Sequence, residues 1–131
     1  MRKKIINYKK EDGPVTLEVT SGYATHGSFI LAYRKKDIGE EYIEFGANPK
    51  CLDDDSPDIY LIPVDEEKLE DYRVVIIGKY RPAEARNQLK VKYILRQGDR
   101  KIGDCDVEID FDDTRQFKRN TQKFEFKHKS N

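Results

Sequence analysis

A chain of 131 residues fits one domain and can bury about two thirds of the surface its unfolded form exposes, so its core needs no disulfide or metal staple. Hydrophobic residues make up 37% and charged residues 38%, which is polar for a globular protein. Tyr and Phe nevertheless recur inside short β-branched runs, which excludes a disordered chain, and no apolar run approaches the ~20 residues of a membrane helix, so no membrane insertion is expected.

In chain order, Met1 to Lys4 resemble a basic n-region, but Ile5 and Ile6 are followed at once by Asn7-Tyr8-Lys9-Lys10. A signal peptide needs about 7 to 15 apolar residues there, so none is expected. The default location is the cytoplasm, with a mature exported domain carrying an added Met1 as the alternative. Val15, Leu17 and Val19 then alternate with Thr16, Glu18 and Thr20, the two-residue period of a half-buried strand. Phe29, Leu31 and Tyr33 continue that period after Gly27-Ser28, and Ile43 and Phe45 repeat it before Gly46-Ala47-Asn48-Pro49. Ile59 to Val64 is a short apolar stretch. Asp65 to Asp71 can form one or two helical turns and Pro82 to Arg86 a single one. Val74 to Ile77 is apolar on both faces, which predicts a central strand covered on both sides. Leu89, Val91, Tyr93 and Leu95 alternate with charges, as do Cys105, Val107, Ile109 and Phe111. Phe124 and Phe126 close the pattern, and residues 127–131 form a charged end expected to fray.

Strand-sized runs without long helices between them predict a single all-β domain over residues 1–131. The expected fold is an antiparallel β-sandwich of about 7 to 9 strands, with a closed β-barrel as the alternative.

The hairpin around Gln97-Gly98-Asp99-Arg100 is the best specified piece. Asp104, Asp106, Glu108, Asp110 and Asp112 share one face of its return strand, and Cys105, Val107, Ile109 and Phe111 share the other. Both faces match the outgoing strand only in a register of even parity, which a three-residue loop or a bulge at Gly103 supplies. One such register sets Lys92 opposite Asp106, Lys90 opposite Glu108, Val91 opposite Val107 and Leu89 opposite Ile109. The carboxylate row is then an outer sheet face opposite lysines rather than a metal cage, since it spreads along ~3.3 Å per residue.

Candidate chemistry is sparse. Cys51 and Cys105 have no zinc or redox spacing and read as free thiols, with a single disulfide in an exported protein as the alternative. Asp53, Asp54, Asp55 and Asp58 form an acidic loop that offers a binding contact, and Asp53, Asp55 and Asp58 are the nearest thing to a calcium site. The loop lacks the glycine and distal glutamate of an EF-hand, so no metal or other cofactor is expected. His26, in the small-residue connection Ser21 to Ser28, would need an orienting group and an oxyanion hole to activate Ser21, Thr25 or Ser28. Neither phosphate-binding glycine pattern occurs. Tyr80, Arg81, Arg86, Lys90, Lys92, Tyr93 and Arg96 form a basic and aromatic series, but Tyr93 shares the core face and the lysines face carboxylates, so nucleic acid is disfavoured.

Charge is uneven along the chain. Lys36 to Asp71 holds thirteen acidic residues against three basic ones, which points to an acidic face able to steer a basic partner. The expected function is therefore a non-enzymatic binding or assembly module that contacts another protein through loops or an acidic face. A small-ligand-binding barrel or carrier is the alternative. A third reading is an enzyme whose site forms where Tyr23, His26 and a carboxylate converge.

Overall fold

A computed structural model describes residues 2–20, 25–37, 41–49, 57–82, 88–113 and 116–129. Among these are strands β1 (Arg2–Tyr8), β2 (Val15–Thr20), β3 (Thr25–Lys35), β4 (Ile43–Asn48), β5 (Asp58–Leu61), β6 (Tyr72–Pro82), β7 (Gln88–Gln97), β8 (Arg100–Asp110) and β9 (Lys118–His128). They form a five-stranded sheet in the order β1-β9-β6-β3-β4 and a four-stranded sheet in the order β5-β2-β7-β8. The fold is an all-β sandwich. The two sheets do not join into a closed barrel: β4 and β5 end their sheets on one side, β1 and β8 on the other.

Alternation decides which side chains fill the space between the sheets. Val15, Leu17 and Val19 of β2 are buried while Thr16, Glu18 and Thr20 are only partly so. Facing them are Phe29 and Leu31 of β3, Val74, Ile76 and Tyr80 of β6, and Phe124 and Phe126 of β9. Tyr93 meets Phe124 edge-on at 6.1 Å between ring centres, and Phe29 meets Tyr60 in the same manner at 6.0 Å. Such contacts suit the ring quadrupoles. Tyr80 covers a gap that two glycines leave: a Cβ on Gly78 would come within 2.3 Å of its ring.

β6 lies in the middle of the larger sheet, as its doubly apolar run predicts. Val74 and Ile76 point inward, and Val75 on the outer face is only 2% exposed. The β7–β8 hairpin has the expected pairing, with Lys92 opposite Asp106, Val91 opposite Val107 and Leu89 opposite Ile109. The parity is supplied differently from the two devices expected. Gln97 pairs with Arg100 across a two-residue turn, and the register shifts between Leu95 and Arg96, so the bulge falls at Ile102 rather than Gly103.

Three elements differ from the sequence reading. Residues 2–8, where the sequence reading placed no strand, form β1 and pair in parallel with β9. This makes the larger sheet mixed. Ile6 and Tyr8 of β1 are 1% exposed, a two-residue alternation too short to stand out beside Arg2, Lys3, Lys4, Lys9 and Lys10. Ile43 does not enter the core. Phe45 packs inward at a register shift opposite Leu31 and Ala32, whereas Ile43, paired with Tyr33 at the start of the edge strand, is 54% exposed. Lys127 and His128, expected to fray, pair with Asn7 and Tyr8. The Lys129 amide donates to the Tyr8 carbonyl at 2.8 Å and the His128 amide to Glu70 at 3.0 Å.

Two 3₁₀ turns occur among the described residues, Lys10–Asp12 and Glu66–Asp71. The second is the one expected. Asp65 caps it by accepting from the Glu67 amide, and Leu69 plugs the core beneath it. The turn expected from Pro82 to Arg86 lies outside the described residues beyond Pro82, itself the last residue of β6.

Candidate functional site

The outer face of the larger sheet follows from alternation and register. Crossing β3, β6 and β9 in turn, its rows are Ser28, Lys79 and Arg119; Ile30, Ile77 and Thr121; Ala32, Val75 and Lys123; Arg34, Arg73 and Glu125. His26 opposite Arg81 extends the first end. The face therefore grades from basic, through apolar, to ion-paired.

At the ion-paired end, Arg73 donates to Glu125 through Nε at 2.8 Å and Nη2 at 2.7 Å, and Lys3 approaches the other carboxylate oxygen at 3.5 Å. Tyr42 hydrogen-bonds Arg73, and the Arg34 guanidinium lies 4.5 Å from the centre of the Tyr42 ring. Burial alone would raise the Glu125 carboxyl, but the hydrogen bond and charge of Arg73, with Lys3, outweigh it and hold it below the usual carboxylate range. At this end Glu125 is ion-paired with Arg73 and Lys3.

The other end differs. Among the described residues no carboxylate lies in ion-pair range of Lys79, Arg81 or Arg119 there, nor of Lys123 in the row beside the Arg73–Glu125 pair. Lys79 and Arg119 are exposed, and Lys123 is half-buried. His26, Ser28, Pro49, Lys79, Arg81 and Phe117 line a hollow of about 360 Å³ there. The Arg81 guanidinium carbon sits 5.2 Å from the centre of the Phe117 ring, a cation–π arrangement. Its Nε is buried and has no hydrogen-bond partner. Phe117 is 46% exposed. Gly27 sets the local backbone: its φ is +155°, and a Cβ there would fall 2.2 Å from the Lys79 carbonyl, so only glycine lets β3 and β6 approach below the hollow.

Two other regions contrast with this one. A hollow of about 190 Å³ is lined by Tyr8, Lys9, Arg100, Lys101 and their neighbours, but Arg100 pairs with Asp12 at 2.7 Å and Lys101 with Asp104 at 2.8 Å. On the outer face of the smaller sheet, Lys90 and Lys92 stand opposite Glu108 and Asp106, and Arg96 bonds Glu18 at 3.0 Å. Charge there is balanced in place.

The residues singled out from sequence fall differently. Asp58 opens β5, and its carboxylate accepts from the Asn48 amide at 2.8 Å. Asp53, Asp54, Asp55 and Cys51 lie outside the described residues, as do Ser21 and Tyr23. Cys105 is half-buried, and its thiol donates to the Gln122 side-chain oxygen at 3.5 Å. His26 lies within β3 rather than in a turn, and no carboxylate is among the residues lining its hollow. The basic and aromatic series from Tyr80 to Arg96 is dispersed: Tyr80 and Tyr93 are in the core, Lys90, Lys92 and Arg96 face out from the smaller sheet, and Arg81 faces out from the larger one. Lys79, Arg119 and Phe117 were not foreseen, because a basic residue on each of two distant strands has no signature until those strands are known to be neighbours.

No family model matches the chain, and no curated protein matches it. Among solved structures it is similar to the crystal structure of a domain of unknown function, DUF4425, from Bacteroides vulgatus, with a TM-score of 0.40 and 12% identity over 85% of this chain and 92% of that one. No helix among the described residues is long and apolar enough to cross a membrane.

Proposed function

We propose that the chain is a non-enzymatic binding module whose partner is another protein, engaged through an acidic surface of that partner. The observation that supports this most is the set Lys79, Arg119 and Lys123, carried on adjacent strands with no carboxylate in ion-pair range among the described residues. Like charges fixed on a rigid sheet repel one another. A complementary surface removes that repulsion and speeds encounter. The sign is opposite to that expected from the acidic run in the sequence, because the described acids divide between two ends of the sandwich: Asp58 pairs with Val19, whereas Asp65 to Asp71 follow Ile62, which bonds Val15 at the far end of β2.

Other readings have less support. A carrier needs an interior cavity, and here large side chains occupy the space between the sheets. Catalysis at His26 needs an orienting acid. A nucleic-acid binder would normally be basic overall and offer several stacking rings, whereas the isoelectric point is about 6.7 and Phe117 is the ring exposed on this face.

Fluorescence anisotropy with a labelled Glu/Asp-rich peptide tests the proposal, beside a single-stranded oligonucleotide of equal charge. The peptide should bind, and its Kd should weaken at least about tenfold between about 50 and about 500 mM salt. A triple substitution Lys79→Glu, Arg119→Glu and Lys123→Glu should abolish binding, while Lys90→Glu with Lys92→Glu on the opposite face should leave it unchanged. Binding that survives the triple substitution sinks the proposal. Tighter binding of the oligonucleotide would exclude a protein as the partner class.

A further inference from the structure

We infer that the hollow beside Phe117 is a phosphoryl-group pocket, in which Arg81 binds the phosphate oxygens and Phe117 packs against the carbon skeleton that carries them. This rests on the basic-face proposal but assigns a specific site within it.

Three features of the hollow point the same way. First, Arg81 Nε is buried without an acceptor. That atom is closed to solvent, so a ligand oxygen would meet the guanidinium at its terminal nitrogens, which make no hydrogen bond among the described residues. Second, the guanidinium carbon lies 5.2 Å from the centre of the Phe117 ring. The planar fork of arginine suits phosphate oxygens in a bidentate manner. Third, Lys79, His26 and the Ser28 hydroxyl line the same wall. A carboxylate carries one charge and needs one cationic partner, whereas a phosphomonoester carries about −1.5 to −2 at neutral pH and has use for Arg81 and Lys79 together. Pro49 and the exposed part of Phe117 supply an apolar margin suited to an organic group on the ester oxygen. Ion pairing within the protein does not account for the arrangement, since no carboxylate pairs with Arg81 or Lys79 among the described residues.

The test is a titration of the ¹⁵N-labelled protein with phenyl phosphate, inorganic phosphate and phenylacetate, following the Arg81 Nε–Hε cross-peak and the Phe117 ring protons. Phenyl phosphate should shift the Arg81 peak downfield saturably, at low millimolar concentration. Inorganic phosphate should bind about fivefold or more weakly for want of the ring contact, and phenylacetate should produce no saturable shift. Arg81→Lys keeps the charge but loses the planar fork and should weaken phenyl phosphate about tenfold. Phe117→Ala should bring phenyl phosphate down to the level of inorganic phosphate.

A phosphotyrosine peptide with acidic flanks separates the two sources of this chemistry. Binding tighter than phenyl phosphate marks a phosphorylated protein, and equal binding marks a free phosphorylated metabolite. Equal response to phenylacetate, or a shift unaffected by Arg81→Lys, overturns the inference. Should the unphosphorylated acidic peptide still bind in a manner lost on charge reversal, the pocket alone has failed. Loss of that binding too would mean the basic face has failed.

Discussion

Tyr8 shows how one buried side chain links a strand to the turn beneath it. Its ring is 1% exposed, packs edge-on against Phe126 and His128, and its hydroxyl donates to the Glu66 carbonyl at 2.9 Å. Burial, reinforced by the charge of Glu70 and its acidic neighbours, pushes the phenol from the usual 10.0 up to about 12. Between those values the unfolded chain gives up the proton while the folded one keeps it. The contribution is therefore whole below about pH 10 and falls away as pH rises toward about 12, by on the order of 2–3 kcal/mol. In denaturant melts from about pH 8 to about pH 11, wild-type stability should drop more steeply than that of Tyr8→Phe, which gives up one hydrogen bond worth about 1 kcal/mol. Parallel curves would contradict this.

Arg73 and Glu125 make the second residue-scale case. Their side chains are 20% and 10% exposed, although they sit on an outer sheet face. Arg73→Met leaves a largely buried carboxylate with Lys3 alone and should cost about 2–4 kcal/mol near neutral pH. Because Glu125 is held below the usual carboxylate range, the wild-type stabilisation is present above about pH 4.5 and lost as pH falls through the folded value. The variant can meanwhile protonate Glu125, so the gap between the two proteins should narrow on acidification. Adding Glu125→Leu to Arg73→Met should recover most of the loss. A gap equal at about pH 7 and about pH 4 would show that the pair is not the cause.

At the scale of elements, the β7–β8 hairpin was legible before any coordinates. Its two residue types alternate over the whole return strand, and a one-residue slip would turn every side chain over. Val107 is 1% exposed, whereas Asp106 is exposed opposite Lys92. Val107→Asp should cost several kcal/mol through an unpaired buried charge, and Asp106→Ala under about 1 kcal/mol; comparable losses in urea melts would refute the facing. β1 was not legible, for the opposite reason. Its core-facing residues are Ile6 and Tyr8, and the flanking lysines are there because the strand runs along the rim, where Lys4 reaches Asp104 of β8. β4 misled in a third way. Ile43 opens an edge strand, and alternation does not tell a covered position from one left open at a sheet edge.

Across the whole molecule, the described acids between Asp37 and Asp71 divide between two ends of the sandwich. Charge adjacent in sequence spreads along strands 3.3 Å per residue and through turns at both ends, so it need not share a face. Charge that does share a face comes from residues two apart on one strand and from partners on neighbouring strands. Lys79 and Arg81 satisfy the first condition within β6, and Arg119 on β9 satisfies the second. The basic face, and with it the binding proposed for it, is a property of the strand order β9-β6-β3.

The period of two in the chain was enough to establish strands, their apolar sides, the central place of Val74 to Ile77 and one hairpin register, because each of these depends on contacts a few residues away or on the composition of a single strand. Which strands lie side by side was decided only on folding, when distant segments competed to cover one core. The layout of the outer sheet face depends on that second level: Arg81 against Phe117, Lys79 beside Arg119, and Arg73 across from Glu125. These contacts join residues from 36 to 52 positions apart in the sequence, and local chemistry holds no record of such a pairing.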